Sequence, residues 1–337
     1  MVEAMQTRLP SPARSIAVLS LGLFACATPA QGDETESETS AETSADQDGD
    51  SGESQSSGVA AGGCDPATFV GAITLSLEDE YTGLQGQVKS AVTPSFVPVA
   101  VASEGVCTFY QPPNLFCDPP CSAGETCGAE GACIPTPTPI SLGTVSIDGL
   151  GAAIDMQSSA PAYFYTYLGT LAHPPVDEGS ALTMRASGSE SVSPFTLGAF
   201  AITALEVDAS SVTLEQDVPV AVTWTPGGEP SATILAVLDI AQHGGNPGSI
   251  RCEFPDQGAL EIPVALTNQL LNQGFSGFPS LVLTRRSVDH VQTQGGCLEW
   301  LMSSTQALSV IIDGLTSCGD DEDCIAPETC QPDLSCG

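Results

Sequence analysis

The sequence predicts a mainly β protein: an antiparallel β-sandwich preceded by a small antiparallel β unit, with two short disulfide-rich modules and a disordered N-terminal stalk. Three observations carry this expectation. Apolar and polar residues alternate over short runs, and turn residues interrupt them every eight to twelve positions or so. Thirteen cysteines fall into two tight clusters and a few scattered positions. An apolar leader ends at a single cysteine and gives way at once to an acidic tract.

Residues 1–25 have the layout of a secretory signal. Arg8 and Arg14 precede an apolar stretch from Ile16 to Ala25, with Glu3 upstream and Met5 as an alternative start. Ten apolar residues are too few to cross a bilayer as a helix, which takes about 20, and no later run approaches that length. Leu23-Phe24-Ala25-Cys26 resembles the lipobox of bacterial lipoproteins, although Phe24 departs from the usual small or aliphatic residue before the last alanine. The resemblance implies a diacylglycerol thioether on Cys26 and an acylated amine, a membrane anchor with enough acyl chain to be permanent. Ala27 lacks the aspartate that signals inner-membrane retention in some bacteria, which points to the outer membrane or cell surface.

Residues 26–63 form the stalk. From Ala27 to Gly63 there are nine acidic residues, no basic one and almost no large apolar one. Such chain buries too little surface to offset the entropy of ordering and is expected to be disordered. Its r.m.s. reach is about 35 Å, and like charges extend it. Asp46, Asp48 and Asp50 imitate the start of a calcium loop, but Ser51 and Ser57 stand where an EF-hand needs Gly and Glu.

Removing residues 1–25 leaves five basic residues (Lys89, Arg185, Arg251, Arg285, Arg286) against forty acidic ones, a net charge near −35. That balance excludes nucleic acid as a partner, which calls for a basic face. With Cys26 set aside, twelve cysteines remain: Cys64, Cys107, Cys117, Cys121, Cys127, Cys133, Cys252, Cys297, Cys318, Cys324, Cys330 and Cys336. An even number in an exported chain reads as a disulfide framework.

Residues 64–116 read as the small β unit. Phe69, Gly71, Ile73, Leu75 and Leu77 alternate with Val70, Ala72, Thr74 and Ser76, and further strands are expected at 87–93, 96–102 and 106–110. Cys64 paired with Cys107 would staple the ends of this unit, unless Cys107 joins the adjacent cluster. Residues 117–139 hold the first cysteine module, with spacings x3, x5, x5, and a stiff Pro-Thr-Pro-Thr-Pro connector. Residues 316–337 hold the second, with spacings x5, x5, x5; Glu-Thr-Cys precedes the last loop of both. Segments this short and polar build no core and need bridges, whose pairing the spacing leaves open among three alternatives. Only Cys117 and Cys121 have the spacing of a zinc knuckle, so no metal site is expected. The two clusters resemble small, distantly EGF-like modules of secreted and lipid-anchored myxobacterial proteins.

Residues 140–315 are expected to form the sandwich. Val218, Val220, Val222 and Trp224 alternate up to a Pro-Gly-Gly turn, as do Leu298, Trp300, Met302 and Leu308, Val310, Ile312. Other strands are expected near 143–148, 152–157, 161–167, 180–187, 196–205, 211–215, 232–240, 249–254 and 279–286, with one helix over 263–272 opened by Pro263. Cys252 and Cys297 are placed to bridge neighbouring strands. The stretch VAVTWTPGG is similar to the Trp-bearing strand of fibronectin type III and related Ig-like domains, and implies a sandwich of that kind. The order of lipobox, stalk, cysteine modules and sandwich resembles a group of myxobacterial surface lipoproteins.

Chemistry is sparsely signalled. His173, His243 and His290 each stand alone, and no zinc-protease, nucleophile-elbow or phosphate-loop motif occurs. The expectation is therefore no catalytic residues, no cofactor and a non-enzymatic binding or structural role in the envelope. The membrane is engaged through lipid, and an extracellular protein or glycan is the ligand. Two other readings compete: a hydrolase triad around His290 with Asp289 or Asp313, and a calcium-dependent adhesin using Asp320, Asp321, Glu322 and Asp323. Tyr163, Tyr165 and Tyr167 would share one strand face, and their expected place is the core.

Overall fold

A computed structural model describes residues 62–241 and 248–337. The lipobox, Cys26, the calcium-like aspartates and His243 all lie outside the described residues.

In chain order the strands are β1 (Phe69–Leu77), β2 (Thr82–Lys89), β3 (Val99–Glu104) and β4 (Cys107–Gln111), with a short 3-10 turn at Pro94–Phe96 before β3. The first cysteine module supplies β5 (Glu125–Cys127) and β6 (Cys133–Pro135). There follow β7 (Pro139–Ile140), β8 (Val145–Asp148), β9 (Ile154–Met156), β10 (Tyr165–Thr166), β11 (Ala181–Ala186) and β12 (Phe195–Phe200). The last part holds β13 (Ser211–Leu214), β14 (Val220–Thr223), β15 (Thr233–Asp239), β16 (Ser249–Pro255) and β17 (Ala259–Ile262). The helix α1 (Val264–Leu271) and the long strands β18 (Ser280–Gln292) and β19 (Cys297–Ile312) complete it. As expected, Pro263 caps α1, its fixed φ suiting a helix start and its missing N–H costing nothing there.

The chain is mainly β, and its spine is the β18–β19 hairpin. Leu298, Trp300 and Met302 enter one apolar core, whereas Leu308, Val310 and Ile312 enter a second. The two alternating runs of the sequence are thus one strand, and both runs point to the same face because residues of equal parity do. Between them the pattern turns polar at Ser303–Gln306.

An eleven-stranded sheet runs β10-β2-β1-β19-β18-β15-β16-β4-β3, with β13 also on β19 and β7 on β2. The sheet is mixed: β1 and β13 both run parallel to β19, and the other neighbours are antiparallel. A four-stranded sheet, β12-β11-β8-β9, packs over the first core, where Tyr165, Ile73 and Met184 are fully buried. The pair β14–β17 and helix α1 pack over the second core, around Phe109, Trp224 and Phe254.

The separate small unit over 64–116 requires correction. Four strands form there, the second at Thr82–Lys89 and the third at Val99–Glu104 rather than at 87–93 and 96–102, and β1 and β2 lie on the β19 side while β3 and β4 lie beyond β16, at opposite ends of one sheet. Hydrophobic alternation sets which face of a strand is buried and carries no information about its neighbour. The cysteine pairings differ correspondingly. Cys64 bonds Cys297 and Cys107 bonds Cys252, so neither the Cys64–Cys107 staple nor a Cys252–Cys297 bridge forms. Cys107 and Cys252 sit directly opposite each other on β4 and β16. Both cysteine modules close with first-to-third and second-to-fourth pairing: Cys117–Cys127 with Cys121–Cys133, and Cys318–Cys330 with Cys324–Cys336.

A polar seam joins the layers between the cores. The free edge of β12 donates from the Gly198 amide to Asp289 Oδ2 (2.8 Å) and from the Phe200 amide to Ser287 Oγ (2.8 Å). Nearby, Arg285 and Asp256 form an ion pair at 2.7 Å with both side chains 2% exposed. Arg285 also donates to the carbonyls of Ala204 (2.8 Å) and Thr225 (2.5 Å), and Asp256 accepts from Trp224 Nε1 (2.7 Å). Backbone groups that end in a dry interior are thereby satisfied by side chains.

Candidate binding groove

The outer face of the large sheet, opposite the cores, carries a cluster of ionisable side chains. Alternation along β18 and β19 turns Arg286, His290 and Glu299 to this face, and His290 lies across from Glu299 in register. From β16 come Arg251 and Glu253, and from β4 come Thr108 and Tyr110. The chain enters the fold here: the Cys64 amide donates to Glu299 Oε1 (2.6 Å) and the Gly63 amide to Glu253 Oε1 (3.3 Å). A Cβ on Gly63 would collide with the Glu299 carboxylate and crowd the Arg286 guanidinium at 3.1 and 3.2 Å, so a larger residue there would displace these two side chains.

Arg286 bonds Glu253 at 2.5 Å, while its Nε is buried without a partner. Glu299 is buried, and desolvation raises its pKa above the ordinary value of 4.5. The Cys64 amide, Arg286 and His290 pull it down, and Glu253 pushes with the burial.

Three depressions run along this face and meet at Phe96, which is 75% exposed. The central one, of about 530 Å³, lies between Phe69, Phe96, Arg251, Arg286 and Glu299. One flank, about 310 Å³, adds Lys89; the other, about 230 Å³, shares Tyr110 with the central one and adds Asp239. The central volume suits a small ligand or one unit of a polymer. Lys89 Nζ stands 5.3 Å from the Phe96 ring centroid, and the Arg251 guanidinium 5.6 Å from that of Tyr110, both within cation–π range.

The cations divide sharply. Arg185 pairs with Asp148, Arg285 with Asp256 and Arg286 with Glu253. Among the described residues, Lys89 and Arg251 are the two without a carboxylate partner, and both line this groove. In a chain with 41 acidic residues, two cations lying on aromatic rings instead of carboxylates are available to a ligand. Their positions in β2 and β16 gave no sequence signal, because the groove is assembled by the sheet order.

Of the residues singled out for catalysis, His290 lies on this face beside Glu299, and its proposed partners lie elsewhere. Asp289 faces the polar seam and accepts from its neighbour's amide, so its carboxylate points away from the His290 ring. Asp313 borders a shallow depression of about 740 Å³ at the far end of β19. Fourteen positions from Glu299, it is about 45 Å away along the strand. Neither aspartate is placed for a triad, and His290 Nδ1 is buried without a partner. His173 Nδ1 shares a hydrogen bond with Thr82 Oγ1 (3.1 Å).

The acidic cluster is engaged with its own loop: Asp320 caps the Glu322 amide, Asp321 the Cys330 amide and Asp323 the Gly319 amide. Cys117, Cys121 and Cys127, like Cys318, Cys324 and Cys336, bring their sulfurs within 4.8 Å, but every one is in a disulfide. Of the tyrosines, Tyr165 is core, its hydroxyl accepting from the Leu142 amide (2.7 Å) and donating to the Gly143 carbonyl (2.9 Å). Tyr167 packs partly buried against the same core, while Tyr163 has φ 42 and leaves the strand, so the three do not share one face.

No helix among the described residues is long and apolar enough to cross a membrane. No family model matches the chain, and neither a curated protein nor a solved structure does.

Proposed function

We propose that the protein is an envelope lipoprotein of the kind its lipobox and cysteine modules resemble, exported, held by lipid on Cys26, and acting as a non-enzymatic binding module. One observation carries the reading: all twelve cysteines after Cys26 are paired with one another, leaving Cys26 as the odd one. Six bridges suit an oxidising compartment, and the unpaired position is where acylation is expected. The acidic stretch after Cys26 then spaces the folded body from an anionic membrane surface, which repels it, and the groove supplies the binding face.

Intact-mass measurement of the mature protein, with and without reduction, tests this directly. The expected result is a diacylglycerol-plus-acyl adduct on an N-terminal Cys26 and a gain of twelve hydrogens on reduction. Cys26→Ala should move the protein from the membrane fraction to the soluble one. An unmodified mature protein, or free thiols before reduction, overturns the proposal.

A further inference from the structure

We infer that the groove around Phe96 binds a short acidic oligosaccharide, a chain of uronic-acid sugars, with Arg251 and Lys89 taking its carboxylates. This rests on the binding reading above and names its ligand class. Three chemical features of one surface converge on that class. Arg251 and Lys89 offer donors that no protein carboxylate occupies, and a guanidinium meets a carboxylate with two parallel hydrogen bonds. Phe96 and Phe69, 75% and 40% exposed, present flat apolar surface to the C–H face of a pyranose. Glu253 lines the same depression with its carboxylate part exposed, and can accept from ligand hydroxyls. A ligand that fits must carry a carboxylate, hydroxyls and an apolar face together, and an acidic sugar does.

The alternatives fit less well. A phosphate dianion carries more charge than a carboxylate past Glu253, Asp239 and Glu299 on the same walls, and it has no apolar face for Phe96 and Phe69 to meet. A long polyanion must approach a body in which residues 64–337 carry a net charge of −26, a repulsion that acts over about 8 Å in physiological salt. A short oligomer seated in the groove escapes most of it. Three adjoining depressions that share Phe96 match a ligand of repeating units better than a single small molecule.

Calorimetric titration of the full mature chain with tetragalacturonate at physiological salt provides the test. Its methyl ester, which keeps the rings and blocks the carboxylates, tetraglutamate and inorganic phosphate serve as comparison probes. Saturable binding is expected for tetragalacturonate, with at least about tenfold weaker binding of the ester. Arg251→Gln and Phe96→Ala should each weaken binding about tenfold, and Lys89→Gln by a smaller factor, all with melting temperature unchanged. Arg185→Gln, on the opposite layer, should leave it intact. Absence of saturable binding at millimolar concentration, equal binding by the ester, tetraglutamate or phosphate, or indifference to Arg251→Gln would each overturn the inference. A lipidated Cys26 with six bridges alongside any of those failures would sink the ligand assignment alone.

Discussion

Glu299 illustrates how one buried carboxylate can be tolerated and what it costs. Its partners, the Cys64 amide and the Arg286 guanidinium, favour the charged form, yet burial outweighs them and the pKa rises. In the window between the ordinary value of 4.5 and the raised one, the folded state holds a proton that the unfolded state has released. The unfolded chain then binds fewer protons, so stability falls as pH rises through that window and levels off above it. Glu299→Gln keeps an oxygen for the Cys64 amide and removes the titration. The expected outcome is a flatter dependence of melting temperature on pH, with the variant gaining on the wild type from acid to neutral. Parallel profiles for the two proteins would show that Glu299 does not titrate with folding. No sequence pattern marked this residue: it sits inside Cys-Leu-Glu-Trp, where alternation predicts only that it opposes Leu298 and Trp300.

Strand β18 works as a clamp between layers through Arg285, and its buried ion pair differs sharply in worth from an exposed pair elsewhere in the fold. Arg285–Asp256 is almost wholly dry, whereas Arg185–Asp148 on β11 and β8 has side chains 55% and 43% exposed. Asp256→Ala leaves a guanidinium buried without its counter-charge and frees Trp224 Nε1 as well, so a loss of about 3–5 kcal/mol is expected. Asp148→Ala breaks a solvated pair, and its cost should stay within about 1 kcal/mol. Urea denaturation of both variants decides the matter, and similar losses would refute the clamp. Elements of this kind were only half legible. Alternation located most strands and the proline located α1, because these signals are local. The β17 strand was missed, its four residues Ala-Leu-Glu-Ile being too short for a period to show. The partners of β1 and β3, the Cys64–Cys297 bridge and the groove around Phe96 depend on which distant strands become neighbours. Arg285 and Arg286, adjacent in the sequence, face opposite sides of the sheet and do unrelated work.

Because β19 contributes to both cores, the body is expected to unfold as one unit. A two-domain chain has two cores joined by a linker that carries no load; here the link is a sixteen-residue strand buried in a sheet. Opening either core removes the packing face of β18 and β19 that the other half needs, and the described residues fall in one compact unit. The two tryptophans report on the two halves separately, Trp300 in the first core and Trp224 in the second. Replacing either with Phe leaves a single-tryptophan protein whose fluorescence follows one core. In each such variant, with disulfides intact, the fluorescence midpoint in urea should coincide with the midpoint by far-ultraviolet circular dichroism, the signature of a two-state transition. A midpoint for Trp224 fluorescence well separated from the circular dichroism midpoint of the same variant would mean that the β18–β19 hairpin bends at its polar centre, Ser303–Gln306, and lets one core open alone.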